Sequence, residues 1–157
     1  MDNIEIKINP QITAEELYEF YKENDICEEG YGKDTASRVL KHSSVIVGAF
    51  LNNKLVGLTR AMFDGLTAEI VEFCLALEFQ GRDLEYDNGS IIEKDESTVG
   101  KELGQAIIEE LYKMGAYYVS AVVFEDAEKG FFESIGFRKN EGHANYVIDR
   151  RPYVIGE

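Results

Sequence analysis

Apolar and charged residues alternate at the start of the chain, Ile4-Glu5-Ile6-Lys7-Ile8, which predicts a strand with one buried face. Thr13-Ala14-Glu15-Glu16 then has the spacing of a capping box, and Leu17, Phe20 and Tyr21 follow as the apolar side of a helix. Gly30-Tyr31-Gly32 breaks the pattern, and Asp34 is placed to cap a second helix carrying Val39 and Leu40. From Ser44 the period shortens to that of strands. Segments 45–51 and 55–63 flank a tight turn at Asn52-Asn53, and Asp64-Gly65 leads into a third strand over 67–79.

Residues 100–114 carry Leu103, Ile107 and Leu111 four apart with Ile108 alongside, giving one apolar helical stripe closed by Gly115. A β-branched and aromatic run at 117–124 predicts a strand, 126–134 a short helix ending at Gly136, and 146–148 a last strand after a turn at Gly142. The order is strand, two helices, three strands, helix, strand, helix, strand. That is an α/β (α+β) arrangement, expected to form one domain over residues 1–157.

Composition narrows the function classes. With 157 residues and 45% apolar content, the chain can bury a substantial core. Its apolar runs are too short to span a bilayer, its first residues carry no leader pattern, and Cys27 and Cys74 are too few for a disulfide framework. A cytoplasmic protein without a membrane partner is the expectation. The net charge of −14 argues against a nucleic-acid partner and would draw cationic or amine-bearing ligands inward. The usual phosphate and metal signatures fail. Asp95 stands where a P-loop ending at Gly100-Lys101 needs glycine, and His42 and His143 have no ligand pair beside them, so no metal is expected.

What remains is a strand leading through a loop to a helix whose start holds Gly100 and Gly104. Free N–H groups and the dipole at such a start attract phosphate, and glycine lets the backbone come close to it.

Three segments carry a family resemblance. Residues 72–81 (Glu-Phe-Cys-Leu-Ala-Leu-Glu-Phe-Gln-Gly) resemble the fourth strand of GNAT acetyltransferases and the start of their acetyl-CoA loop. Residues 100–111 (Gly-Lys-Glu-Leu-Gly-Gln-Ala-Ile-Ile-Glu-Glu-Leu) are similar to the rest of that loop and its helix, and Phe131-Phe132-Glu133-Ser134-Ile135-Gly136-Phe137 to the family's Phe-Tyr-Glu-x-Leu-Gly-Phe segment. The resemblance implies a mixed, mostly antiparallel sheet flanked by helices, and acetyl transfer from acetyl-CoA to an amine. It implies that Leu75, Ala76 and Leu77 pair with the pantetheine arm. Gly100, Lys101, Leu103 and Gly104 would receive the pyrophosphate, with Gln105 and Phe131 completing the cofactor surface. Glu72 matches an acidic position on the fourth strand and is the expected general base.

The chain departs from the family pattern in three places. Residues 82–99 interrupt the loop between Gln80-Gly81 and Gly100-Lys101 with an acid-rich insertion. Glu102 replaces the loop's middle glycine. Phe132 replaces the tyrosine taken to protonate the departing thiolate, leaving Tyr146 or Tyr117 as candidate acids. The leading expectation is an acetyl-CoA-dependent N-acetyltransferase acting on a small-molecule or exposed amine. The alternative is a catalytically weak GNAT-fold module that binds acyl-CoA or another ligand, and the last strand could pair in a homodimer.

Overall fold

The computed structural model describes residues 3–26 and 33–150. The Gly30–Gly32 break and Cys27 lie outside them. In chain order the elements are β1 (Ile4–Ile8), α1 (Ala14–Glu23), α2 (Lys33–His42), β2 (Val45–Leu51), β3 (Lys54–Phe63) and β4 (Thr67–Leu75). There follow a single helical turn, α3 (Leu77–Gln80), then α4 (Val99–Met114), β5 (Tyr118–Ala121) and α5 (Glu125–Ser134).

The sheet runs β1-β2-β3-β4-β5, antiparallel except for the parallel β4–β5 pair. Local chemistry sets several of its boundaries. The Thr13 hydroxyl oxygen accepts the Glu16 N–H at 3.1 Å and starts α1. Asn52 and Asn53 both take positive φ (49° and 66°), the twist a two-residue hairpin needs. Asp64 accepts the Leu66 and Thr67 N–H groups at 2.8 and 2.7 Å, closing the next turn. Asp34, expected as a cap, instead lies within the first turn of α2, where its charge suits the helix dipole.

Strand alternation divides the packing. Gly57, Thr59, Phe73 and Leu75 look toward α4 and α5: a methyl on Gly57 would meet Leu103 Cδ1 at 2.7 Å, and Phe73 meets the Phe131 and Phe132 rings edge-on. Arg60, Glu72 and Cys74 point to the other face, where Tyr21 of α1 lies over them. A bulge sets this up. Arg60 pairs with Glu72 and Ala61 with Ile70, so Val71 is the extra residue. Leu17, Val47, Leu58, Leu103, Ile107 and Leu111 are fully sealed between the layers.

Three expectations need correction. The strand read over 67–79 stops at Leu75, because the chain turns there into α3: the Leu77 N–H bonds to Asn24 Oδ1 and the Gln80 side chain returns to the Leu75 carbonyl. The strand read over 117–124 is only Tyr118–Ala121, since β4 offers it partners only from Thr67 to Ile70. No strand forms at 146–148. Tyr146, Val147 and Ile148 are 92%, 70% and 88% exposed, and without a neighbouring ladder three apolar residues do not make one.

Candidate functional site at the end of the fourth strand

The parallel β4–β5 ladder ends at Ile70↔Ala121, and β4 runs on to Leu75 without its neighbour. One ring joins this stretch to the start of α4: Phe131 packs edge-on against Phe73 of β4 and lies 3.0 Å from where a Gly100 methyl would stand. The GNAT resemblance expects a ligand in this place. In the structure it is filled by the chain's own segment 81–98.

Two points of that segment, Gly89 and Asp95, are tied to the expected site. The Leu75 N–H donates to the Gly89 carbonyl at 2.9 Å, while the Gly89 N–H donates to the Asn24 carbonyl at 2.8 Å. The Ala76 N–H continues the sheet to the Val56 carbonyl, and the Leu77 N–H is held by Asn24 Oδ1 at 3.0 Å. At the helix start, Asp95 accepts the Gly100 N–H on one carboxylate oxygen and the Lys101 N–H on the other, both at 2.8 Å. Burial pushes the Asp95 carboxyl up, against the downward pull of those two N–H groups.

Further bonds anchor the segment to α5, to α3 and to itself. Ile92 is completely buried, and its N–H donates to Glu128 of α5 at 2.9 Å; the same carboxylate accepts the Phe124 N–H at 3.1 Å. Burial raises the Glu128 carboxyl above the usual range, with those two bonds opposing it. The fully buried Gln80 side chain donates to the Leu75 carbonyl and accepts the Glu93 N–H. Glu93 in turn accepts N–H groups from Glu85, Tyr86 and Asp87. The neck is closed by Glu96 N–H to the Gln80 carbonyl and Ser97 N–H to the Phe79 carbonyl, both at 3.3 Å. Acyl-CoA therefore does not fit this conformation: Leu75, Leu77, Gly100 and Lys101 already spend their N–H groups within the chain.

Glu72, the expected base, lies on the opposite face. Its Oε1 accepts Arg60 Nε–H at 2.8 Å and the Tyr21 hydroxyl at 2.9 Å, and its Oε2 takes the Cys74 thiol at 3.4 Å. Burial and the nearby Glu72 charge push both the Tyr21 phenol and the Cys74 thiol up, so each remains a protonated donor. Glu72 is thus the centre of a polar cluster under α1, with Arg60 supplying the countercharge.

The other expected residues are scattered. Leu103 is fully buried against the sheet, and a methyl on Gly104 would meet Ile135 Cδ1 at 2.8 Å, so Gly104 admits the α5 end close to α4. Gln105 and Lys101 have exposed side chains, as does Glu102, whose N–H bonds to the Thr98 carbonyl. Phe131 is buried against Phe73 and lies 3.0 Å from where a Gly100 methyl would stand. Phe132 packs edge-on against Phe73, Phe131 and Phe137. Tyr146 and Tyr117 are largely exposed. A separate open cleft of about 460 Å³, lined by Met62, Asp64, Glu69, Tyr118 and Ser120 among others, sits at the β3–β4 turn and includes none of these residues.

Sequence reasoning missed Asn24, Gln80, Glu93, Asp95 and Glu128, which fix the inserted segment, and Arg60 and Tyr21 beside Glu72. The arginine had a legible signal, since it is the one charge within the largely apolar run 55–63.

No protein-family model matches the chain, and no curated protein matches its sequence. Solved structures do match. A probable acetyltransferase from meticillin-resistant Staphylococcus aureus aligns with a TM-score of 0.71 at 16% identity, covering 95% of this chain and 100% of that one. The chain has the GNAT acetyltransferase fold. A GNAT-family acetyltransferase from Streptococcus pneumoniae aligns at TM-score 0.66 and 22% identity, over 95% of this chain and 100% of that one. An aminoglycoside N-acetyltransferase solved in complex with CoA aligns at 0.67 and 12%, over 96% and 97%. Among the described residues no helix is long and apolar enough to cross a membrane, and no cluster of three or more His, Cys, Asp or Glu could hold a metal ion.

Proposed function

We propose that this chain is an acetyl-CoA-dependent N-acetyltransferase acting on a small-molecule or exposed amine. The observation that carries the reading is the juxtaposition at the end of β4: a strand stretch released from β5, beside a helix start already shaped to hold an anion. Leu75, Ala76 and Leu77 are our proposed pantetheine positions. Gly100, Lys101, Leu103, Gly104, Gln105 and Phe131 are the proposed remainder of the cofactor surface. An amine must lose a proton before it can attack, and we assign that proton to Glu72. Its Oε2 is the less occupied oxygen, since Arg60 and Tyr21 share Oε1. Tyr146 is 92% exposed, so packing gives it no fixed place, and we assign the thiolate's proton to solvent.

The second reading, a ligand-binding module without turnover, is favoured by the Asp95 carboxylate at the helix start and by Phe132, which has no proton to give. CoA release assayed across a panel of amines separates the two. Turnover abolished by Glu72→Gln supports the enzyme; acetyl-CoA binding with no CoA release on any amine supports the module.

A further inference from the structure

We propose that segment 81–98 is an intramolecular competitor for acyl-CoA, filling the ligand's place when none is bound. The inference rests on the acyl-CoA reading above and adds how that site is regulated. Two contacts that an extended anionic ligand would make are each imitated by the chain itself. The Gly89 carbonyl accepts the Leu75 N–H as an amide carbonyl of an extended ligand would, and the Asp95 carboxylate spans the Gly100 and Lys101 N–H groups as a phosphate would. The two contacts belong to different parts of the segment, with the buried Ile92 between them.

The competition is exclusive. One anion can be held by the Gly100 and Lys101 N–H groups, and a phosphate beside a retained Asp95 carboxylate would meet like charge at hydrogen-bond range. The Leu75 N–H is a single donor, so a ligand carbonyl there must displace Gly89. The neck bonds at Gln80–Glu96 and Phe79–Ser97 close off residues 82–95, so that part can lift, releasing Glu93 from the Gln80 side chain, while the backbone of α3 and α4 is kept. Apparent affinity then equals the intrinsic affinity scaled by the fraction of molecules with the segment lifted.

Two substitutions loosen the segment by unrelated means. Asp95→Ala removes the carboxylate from the helix start. Gly89→Val changes no charge, but its first carbon would stand 3.0 Å from Asn24 Cβ and Ile26 Cδ1 and 3.1 Å from the Asn24 carbonyl, pushing the segment off α1. Acetyl-CoA is titrated by calorimetry into the full chain and into both variants, with circular-dichroism melting to establish that each is folded. Both variants should bind more tightly than the parent, by about fivefold for the loss of one capping carboxylate. Equal affinity in all three overturns the competitor while leaving the acyl-CoA reading intact. Tightening in Asp95→Ala alone assigns the effect to charge and also overturns it. No binding by any of the three at millimolar acetyl-CoA overturns the acyl-CoA reading, and the competitor with it.

Discussion

Removing the guanidinium from the Glu72 cluster should be costly, and removing both charges less costly than the two separate losses imply. Arg60 and Glu72 meet at 2.8 Å with side chains only 19% and 14% exposed. Breaking a fully buried pair by deleting one partner costs about 3–5 kcal/mol, because the other charge is left unpaired. Here the residual exposure lets water reach Glu72, and the Tyr21 hydroxyl and Cys74 thiol still donate to it. For Arg60→Leu that discount brings the expected loss to about 2 kcal/mol. Glu72→Leu strands both the Arg60 charge and the buried Tyr21 hydroxyl, for about 3 kcal/mol. The double variant leaves the Tyr21 hydroxyl and the weakly donating Cys74 thiol without their acceptor and should lose about 2 kcal/mol, against about 5 for simple addition. Urea unfolding of the four proteins measures the cycle. If the double variant loses the sum of the singles within about 0.5 kcal/mol, the pair is uncoupled and the cluster is wrongly understood.

Other outcomes follow from single sites. Gly57→Ala should destabilise by about 1–3 kcal/mol in urea unfolding, since its methyl would press on the fully buried Leu103 at 2.7 Å; no change would mean the β3–α4 contact has room to spare. Thr98 is β-branched and held at φ 65°, so Thr98→Gly should raise stability by about 0.5–1 kcal/mol, and a lower unfolding midpoint would contradict that strain. The raised Glu128 carboxyl contributes stability that is fully present below its ordinary value of 4.5 and is lost as pH rises through the raised one. The parent should therefore gain stability relative to Glu128→Gln when unfolding is measured at falling pH across that window; parallel pH profiles would refute the assignment. Cys74 is fully buried with its thiol pushed up, so in a Cys27→Ser background a thiol reagent should label it only as fast as the protein unfolds.

Much of the fold was legible because its signals are local. Thr13 capping Glu16, the positive-φ pair Asn52-Asn53 and the Asp64 turn are written within four residues, and they fix where α1 and two hairpins begin. The four-residue spacing of Leu103, Ile107 and Leu111 likewise places one face of α4 in the core. The end of β4 was not legible, because it is set by Asn24 reaching Leu77 across 53 residues. The role of the inserted segment was hidden for the same reason. Composition marks it only as acid-rich, yet Glu93 and Asp95 turn to backbone N–H groups, and Ile92 is tied to Glu128 across 36 residues. At 146–148 the pattern was right for a strand, but only a neighbouring strand can make it one. At Glu72 the sequence showed an acid on a strand without showing the arginine and tyrosine that claim its oxygen.

In the proposed function, acyl-CoA is held at the end of β4 by the N–H groups that segment 81–98 now occupies. Amide chemical shifts followed by NMR during an acetyl-CoA titration of the full chain test it most directly. The Leu75, Gly100 and Lys101 amides should shift together with saturation, while the Ile92 amide should lose its protection from hydrogen exchange. Saturable binding that leaves those three amides unmoved, or no shift anywhere at millimolar acetyl-CoA, would contradict it.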